Sequence, residues 1–175
     1  MIVGSLLGDA TLLATTAGYC FRVHHGLRQR SLVDWKYRWL RQFVRTPPRV
    51  SGNGIYFRTV THPALSELRK QFYRGRTKIV PLSLLEREFD HLALAVWIMD
   101  DGSAEGGQVR INTQSFTTDE VVGLADILRT KFGIVMRLNV DKAKPRLRCE
   151  AASMARLRDI VKAHTISDMF YKLSL

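Results

Sequence analysis

The chain has 175 residues, 46% of them hydrophobic, enough to pack one domain or two small fused halves, which excludes wholesale disorder. Lys and Arg total 27 against 16 acidic residues, a net charge of +11 with a pI near 10.2. That excess favours a polyanionic partner, nucleic acid ahead of an anionic membrane or an acidic protein.

The first residues, 1–18, are small and apolar. They lack a basic start and are interrupted by Asp9, unlike a secretory signal. The next uncharged stretch, 10–21, is too short and too rich in Thr to span a bilayer, so a soluble protein without a membrane partner is expected. A helix is predicted over 2–15, with Gly4, Ser5 and Gly8 as its small residues, and a strand over 19–25. Cys20 and Cys149 lie in apolar or alternating stretches; neither belongs to a CxxC pair, so both read as buried thiols. Leu32, Trp35, Trp39, Leu40 and Phe43 give an amphipathic helix over 32–44, ended by Thr46-Pro47-Pro48. Gly52-Asn53-Gly54 reads as a hairpin turn into a strand over 55–61. Pro63 opens a helix through Leu65, Leu68 and Phe72, and a basic link from Arg74 to Lys78 precedes Pro81.

A second pass follows. It has an apolar helix over 92–101, a strand over 108–113, and a helix from Thr117 through Val121, Leu124, Ile127 and Leu128. Asp119 and Glu120 stand in that helix's first turn, where the dipole favours them. Strands over 134–140 and 147–150 flank a turn at Lys144-Pro145, and a helix over 153–163 follows. The same order occurring twice implies an α+β fold of two pseudo-symmetric halves, with short antiparallel strands.

The strongest local signal is a pair of segments, Ile2-Val3-Gly4-Ser5-Leu6-Leu7-Gly8-Asp9-Ala10 and Leu94-Ala95-Val96-Trp97-Ile98-Met99-Asp100-Asp101-Gly102. Each is an apolar helix ending in a carboxylate. An acid there opposes the helix dipole, so stability alone does not explain it. One such aspartate reads most simply as a turn residue. Two, at matching places in a repeat, read as a pair of ligands. Side by side, Asp9 and Asp101 would repel unless a cation lay between them, and hard oxygen ligands beside phosphate suit Mg²⁺, with Mn²⁺ as a substitute.

These segments resemble the LAGLIDADG motif of homing endonucleases, in the branch that carries both motifs in one chain. Thr46-Pro47-Pro48, Asn112-Thr113-Gln114-Ser115-Phe116, Lys78-Ile79-Val80-Pro81 and Met169-Phe170-Tyr171-Lys172-Leu173 resemble further landmarks of that family, nearly end to end. Lys78 lies almost as far beyond Asp9 as Lys172 lies beyond Asp101. The resemblance implies a monomeric pseudo-dimer of two αββαββα halves, residues 1–88 and 89–175, packed through the motif helices. It implies saddle-shaped sheets that read a long asymmetric DNA site in the major groove, and cutting that leaves 3′ overhangs. It implies that Asp9 and Asp101 hold the metal, with the carbonyls of Gly8 and Asp100 as further donors. Lys78 and Lys172 would stabilise charge or hold water, and Gln114 would orient water or touch DNA. An intron-encoded protein of a mitochondrion or chloroplast is the implied setting.

Arg22, His24, Arg28 and Arg30 cluster about the first predicted strand, and Arg58, Arg110, Arg137, Arg146 and Arg148 lie on others. Alternate strand residues share a face, so Arg146 and Arg148 point one way, as do Arg22 and His24. These are the expected DNA contacts, to phosphate or to guanine. Arg38, Arg41 and Arg45 recur at helical spacing as a solvated or phosphate-facing stripe. His24-His25 lacks further ligands at a spacing that would suit zinc. The function expected is a Mg²⁺-dependent, site-specific double-stranded DNA endonuclease. Its rivals are a maturase that binds its own intron RNA, and a catalytically retired copy serving as a nucleic-acid-binding part of a larger assembly.

Overall fold

In a computed structural model, which describes residues 1–141 and 144–174, the order αββαββα occurs twice. The first half runs α1 (Ile2–Leu7), β1 (Thr11–Thr15), β2 (Gly18–Gly26), α2 (Arg30–Leu40), β3 (Arg49–Ser51), β4 (Gly54–Arg58) and α3 (Pro63–Phe72). A small hairpin, β5 (Tyr73–Arg74) and β6 (Thr77–Lys78), and α4 (Leu82–Glu88) lead onward. The second half runs α5 (His91–Asp101), β7 (Gly102–Glu105), β8 (Gln108–Ile111), α6 (Thr118–Phe132), β9 (Met136–Asp141), β10 (Lys144–Cys149) and α7 (Met154–Lys162). A 3₁₀ segment, Ser167–Leu173, follows it. Each half has one four-stranded antiparallel sheet, ordered β1-β2-β4-β3 and β7-β8-β10-β9.

Two expectations are corrected. The helix over 2–15 is a short helix and a strand. α1 stops at Gly8, and Thr11 to Thr15 pair with Arg22 to Gly18 of β2. The Thr-rich alternation suits a pleated surface, and β2 supplies the ladder that the local pattern could not show. Lys144 and Pro145 are not the turn of the last hairpin. They begin β10, with Pro145 opposite Val140 and ahead of the point where β8 joins at Leu147. A missing N–H is tolerated at such an unpaired margin. Residues 142–143, between β9 and β10, lie outside the described residues.

The helix at Thr117 is closed by reciprocal bonds. Glu120 N–H donates to the Thr117 hydroxyl oxygen, and Thr117 N–H donates to the Glu120 carboxylate. The other Glu120 oxygen accepts from Val80 N–H at 2.8 Å and so ties α6 to the segment joining the halves. No helix among the described residues is long and apolar enough to cross a membrane.

α1 packs against α5, which is buried from Ala93 through Asp100. The approach is so close that a Cβ on Gly4 would lie 2.1 Å from the Ala93 carbonyl oxygen. Helix α5 has no room to yield without disturbing the core. Gly4→Ala is therefore expected to destabilise the fold by about 1–3 kcal/mol or more, read as a lowered urea midpoint. An unchanged midpoint would mean that the helices separate freely.

Candidate active site

Close packing of α1 on α5 brings the two motif aspartates to one edge. Asp9 follows Gly8 at the end of α1, and Asp101 is the last residue of α5. Burial pushes the Asp101 carboxyl up to about 7, helped by repulsion from Asp9 and Asp100 and opposed in part by Lys78 and Lys172. Asp9 is displaced the other way. Burial would raise it, but a hydrogen bond and charge from His25, with the charges of Lys36 and Lys172, hold it below its ordinary value. An acid held up by burial first and by its acidic neighbours second fits a hard divalent cation, whose charge would favour its ionised form. The residues present thus suit Mg²⁺.

Each lysine docks beside the acid of its own half. Lys78 Nζ donates to the carbonyls of Gly8 at 2.7 Å and Ala10 at 3.0 Å. Lys172 Nζ donates to those of Met99 at 2.5 Å and Asp100 at 2.7 Å. Both are lowered from their ordinary values by burial, with the nearby acids opposing. The carbonyls of Gly8 and Asp100, expected as metal donors, thus already accept lysine ammonium groups. Gln114, with its amide oxygen turned towards Arg146, accepts from Arg146 Nε at 2.8 Å.

Three side chains here, those of Asp100, Lys36 and His25, have roles that the sequence did not assign. The Asp100 side chain is fully buried and takes both oxygens to Lys36 Nζ, at 2.6 and 2.8 Å. Lys36 is itself 0% exposed. Asp9 N–H donates to Asp100 Oδ2 at 3.3 Å. His25, on the inward face of β2, lies between the acids. Its Nδ1 is 3.3 Å from Asp9 Oδ2, and its Nε2 is 3.5 Å from Asp100 Oδ1. Signals existed. His25 continues the inward series Phe21 and Val23, and Lys36 falls in the buried stripe Leu32, Val33 and Leu40. A polar group on an apolar face demands a partner.

The expected DNA contacts lie where strand alternation put them. Arg22 faces Arg58 across β2 and β4, and Arg110, Arg148 and Arg137 form a row across β8, β10 and β9. Like charges directly opposite are destabilising, so these rows serve a polyanion better than they serve the sheet. Glu105 offsets Arg110, and Glu150 pairs with Arg137 at 2.6 Å. His24 packs edge-on against Tyr56, over which Arg22 also lies at 5.1 Å. Arg28 and Arg30 are exposed beyond β2. A groove at the first sheet is lined by Arg22, Tyr56 and Arg58, by Arg49, and by Arg45, which lies in the loop beyond Phe43 and not on the helical stripe expected with Arg38 and Arg41, because the α-helix ends at Leu40.

Comparison with known proteins agrees with this arrangement. Residues 1–157 match the LAGLIDADG DNA endonuclease family. An intron-encoded endonuclease ai4 of Dictyostelium discoideum is 33% identical over 68% of this chain and 76% of its own length. A cytochrome b mRNA maturase bI2 of Debaryomyces hansenii is 29% identical over 99% of the chain and 72% of its own. The RecA protein of Mycobacterium shimoidei is also 29% identical over 99% of the chain, which spans only 45% of that relative. Among solved structures, the homing endonuclease I-WcaI bound to its DNA recognition sequence shares the fold, with a TM-score of 0.87 and 24% identity over 98% of this chain and 83% of that one. Variants of the homing endonuclease I-DmoI share it more distantly, with a TM-score of 0.61 and 9% identity over 93% of each chain. Two acid-ended helices in contact, a lysine at each end, arginine rows on two sheets and a match over most of the length have one common explanation: the chain belongs to the LAGLIDADG DNA endonuclease family.

Proposed function

We propose that this chain is a monomeric, site-specific endonuclease of homing type that hydrolyses both strands of a long asymmetric DNA site. Its halves are residues 1–88 and 89–175. The observation that carries the reading is the packing of α1 on α5 that sets Asp9 and Asp101 at one edge, with Lys78 and Lys172 docked beside them.

Asp9 and Asp101 would hold Mg²⁺, or Mn²⁺ in its place, with the carbonyls of Gly8 and Asp100 adjacent. When bound, such an ion supplies Lewis acidity at the phosphate and lowers the pKa of water. Lys78 and Lys172, already oriented by the carbonyls they grip, offer N–H donors to phosphate oxygens as negative charge builds. Gln114 steadies Arg146 on the DNA-facing sheet. Arg22, His24, Arg28, Arg30, Arg58, Arg110, Arg137, Arg146 and Arg148 hold the duplex, by phosphate contact first and base contact second. An organellar setting is part of the proposal and rests on the family resemblance alone.

The test is incubation with duplex DNA of the joined exons flanking the coding intron, in Mg²⁺, Ca²⁺ or EDTA. A staggered double-strand break is expected in Mg²⁺ only, reduced about 100-fold or more in Asp9→Asn. A break that persists in EDTA or in Asp9→Asn would overturn the assignment. The maturase relative favours a second reading, in which the basic sheets bind intron RNA. Splicing assistance would survive Asp9→Asn, whereas cleavage would not.

A further inference from the structure

The two halves differ around their acids. Helices α2 and α6 hold the same place in each half, and one shift along the sequence lays Val33 on Val121 and Leu40 on Leu128, all buried. The same shift lays Lys36 on Leu124, which is fully buried and apolar. It lays His25 on Thr113, whose hydroxyl donates to the Pro145 carbonyl at 2.8 Å. The residue before the motif aspartate differs too, Gly8 in one half and Asp100 in the other. A Cβ on Gly8 would lie 2.5 Å from that of Asp100, so the Asp100 side chain fills the space vacant at Gly8. Lys36 binds Asp100, whose carboxylate lies 3.5 Å from His25 Nε2 without a hydrogen bond. His25 Nδ1 lies 3.1 Å from Gln29 Oε1 and 3.3 Å from Asp9 Oδ2, and among the described residues this arrangement occurs once, around Asp9. Among the described residues, no side chain hydrogen-bonds or ion-pairs with the Asp101 carboxylate.

Stability does not require this network. A buried ion pair replaced by apolar residues is often neutral or stabilising, and Leu124 fills the matching place without charge. Nor is it a ready cation site, although Asp9, His25 and Asp100 offer donor atoms within 4.8 Å of one another. Both oxygens of Asp100 already face the Lys36 ammonium. What remains is orientation. The Asp9 carboxylate is half-exposed at the end of a one-and-a-half-turn helix, and His25 is the side chain that reaches it.

We propose that His25, braced by the buried Lys36–Asp100 pair, is a positioning residue for Asp9 alone, so that the two target strands are cut with unequal dependence on it. This rests on the endonuclease reading above. The experiment uses a duplex carrying the cleavage site, labelled on either strand, and follows each strand separately. In His25→Leu, one strand is expected to slow about 10- to 100-fold while the other stays within about twofold, so nicked duplex accumulates. His25→Asn, which can donate where Nδ1 stands, should recover most of the lost rate. The double variant Lys36→Met with Asp100→Asn should show the same bias in weaker form. A general loss of folded protein slows both strands alike, so the bias separates positioning from structure. If wild type cuts and His25→Leu slows both strands equally, the inference alone falls. If wild type cuts neither strand in Mg²⁺, the endonuclease reading falls and takes the inference with it.

Discussion

Asp101→Asn is expected to make the metal-free protein more stable at pH 8 while abolishing its cleavage. In the unfolded chain this carboxyl titrates near 3.8, and in the folded protein burial and the acids beside it hold it at about 7. The folded state thus keeps a proton that the unfolded state releases. The associated stability is fully present below about 3.8 and is lost as pH rises through about 7. At pH 8 the ionised group costs up to about 4 kcal/mol. Asparagine removes that cost. Asp9 should behave oppositely, because its carboxyl is held below its ordinary value and its contribution is lost as pH falls. Urea unfolding in EDTA tests this. The Asp101→Asn midpoint should exceed wild type at pH 8, and the gap should narrow towards pH 5. Mg²⁺ should raise the wild-type midpoint at pH 8 and leave Asp101→Asn nearly unmoved. Equal midpoints at pH 8 would mean that Asp101 is not strained and that the acids stand together without a cation between them.

That strain is also where the sequence was most and least informative. Asp9, Asp101, Lys78 and Lys172 were legible because each sits in a local segment that recurs, and a repeat marks a residue without reference to its contacts. Gly4 was legible as a small residue on a packed helix, though not its contact with the Ala93 carbonyl. β1 was not, because Thr11 to Thr15 satisfy a helical and an extended pattern equally until β2 is beside them. The arginines were placed on strands by alternation, but their alignment in rows depends on register between strands, which no single strand carries. The Lys36–Asp100 pair joins residues 64 positions apart. Its one local trace is a cation in an apolar stripe, and a long lysine there reads as easily as a side chain reaching out to water.

Lys36→Met is expected to cost about 3–5 kcal/mol of stability, because it leaves the Asp100 carboxylate buried without its partner. Asp100→Asn should cost a comparable amount by stranding the Lys36 ammonium, which is 0% exposed. The double variant should recover most of either loss, since the neutral pair no longer carries the desolvation penalty, and Leu124 shows that an apolar residue is accommodated at the matching place. Denaturant midpoints for the four proteins give the coupling directly, and it should be large and favourable. Single variants costing under about 1 kcal/mol would mean that water reaches the pair, as it does for surface ion pairs. If the double variant folds as well as wild type yet cuts its two strands unequally, the pair is retained for Asp9 and not for the fold. A buried charge pair that joins Lys36 of the first half to Asp100 of the second, with a leucine at the second-half place that matches Lys36, is then the physical source of a division of labour between two halves that otherwise repeat one pattern.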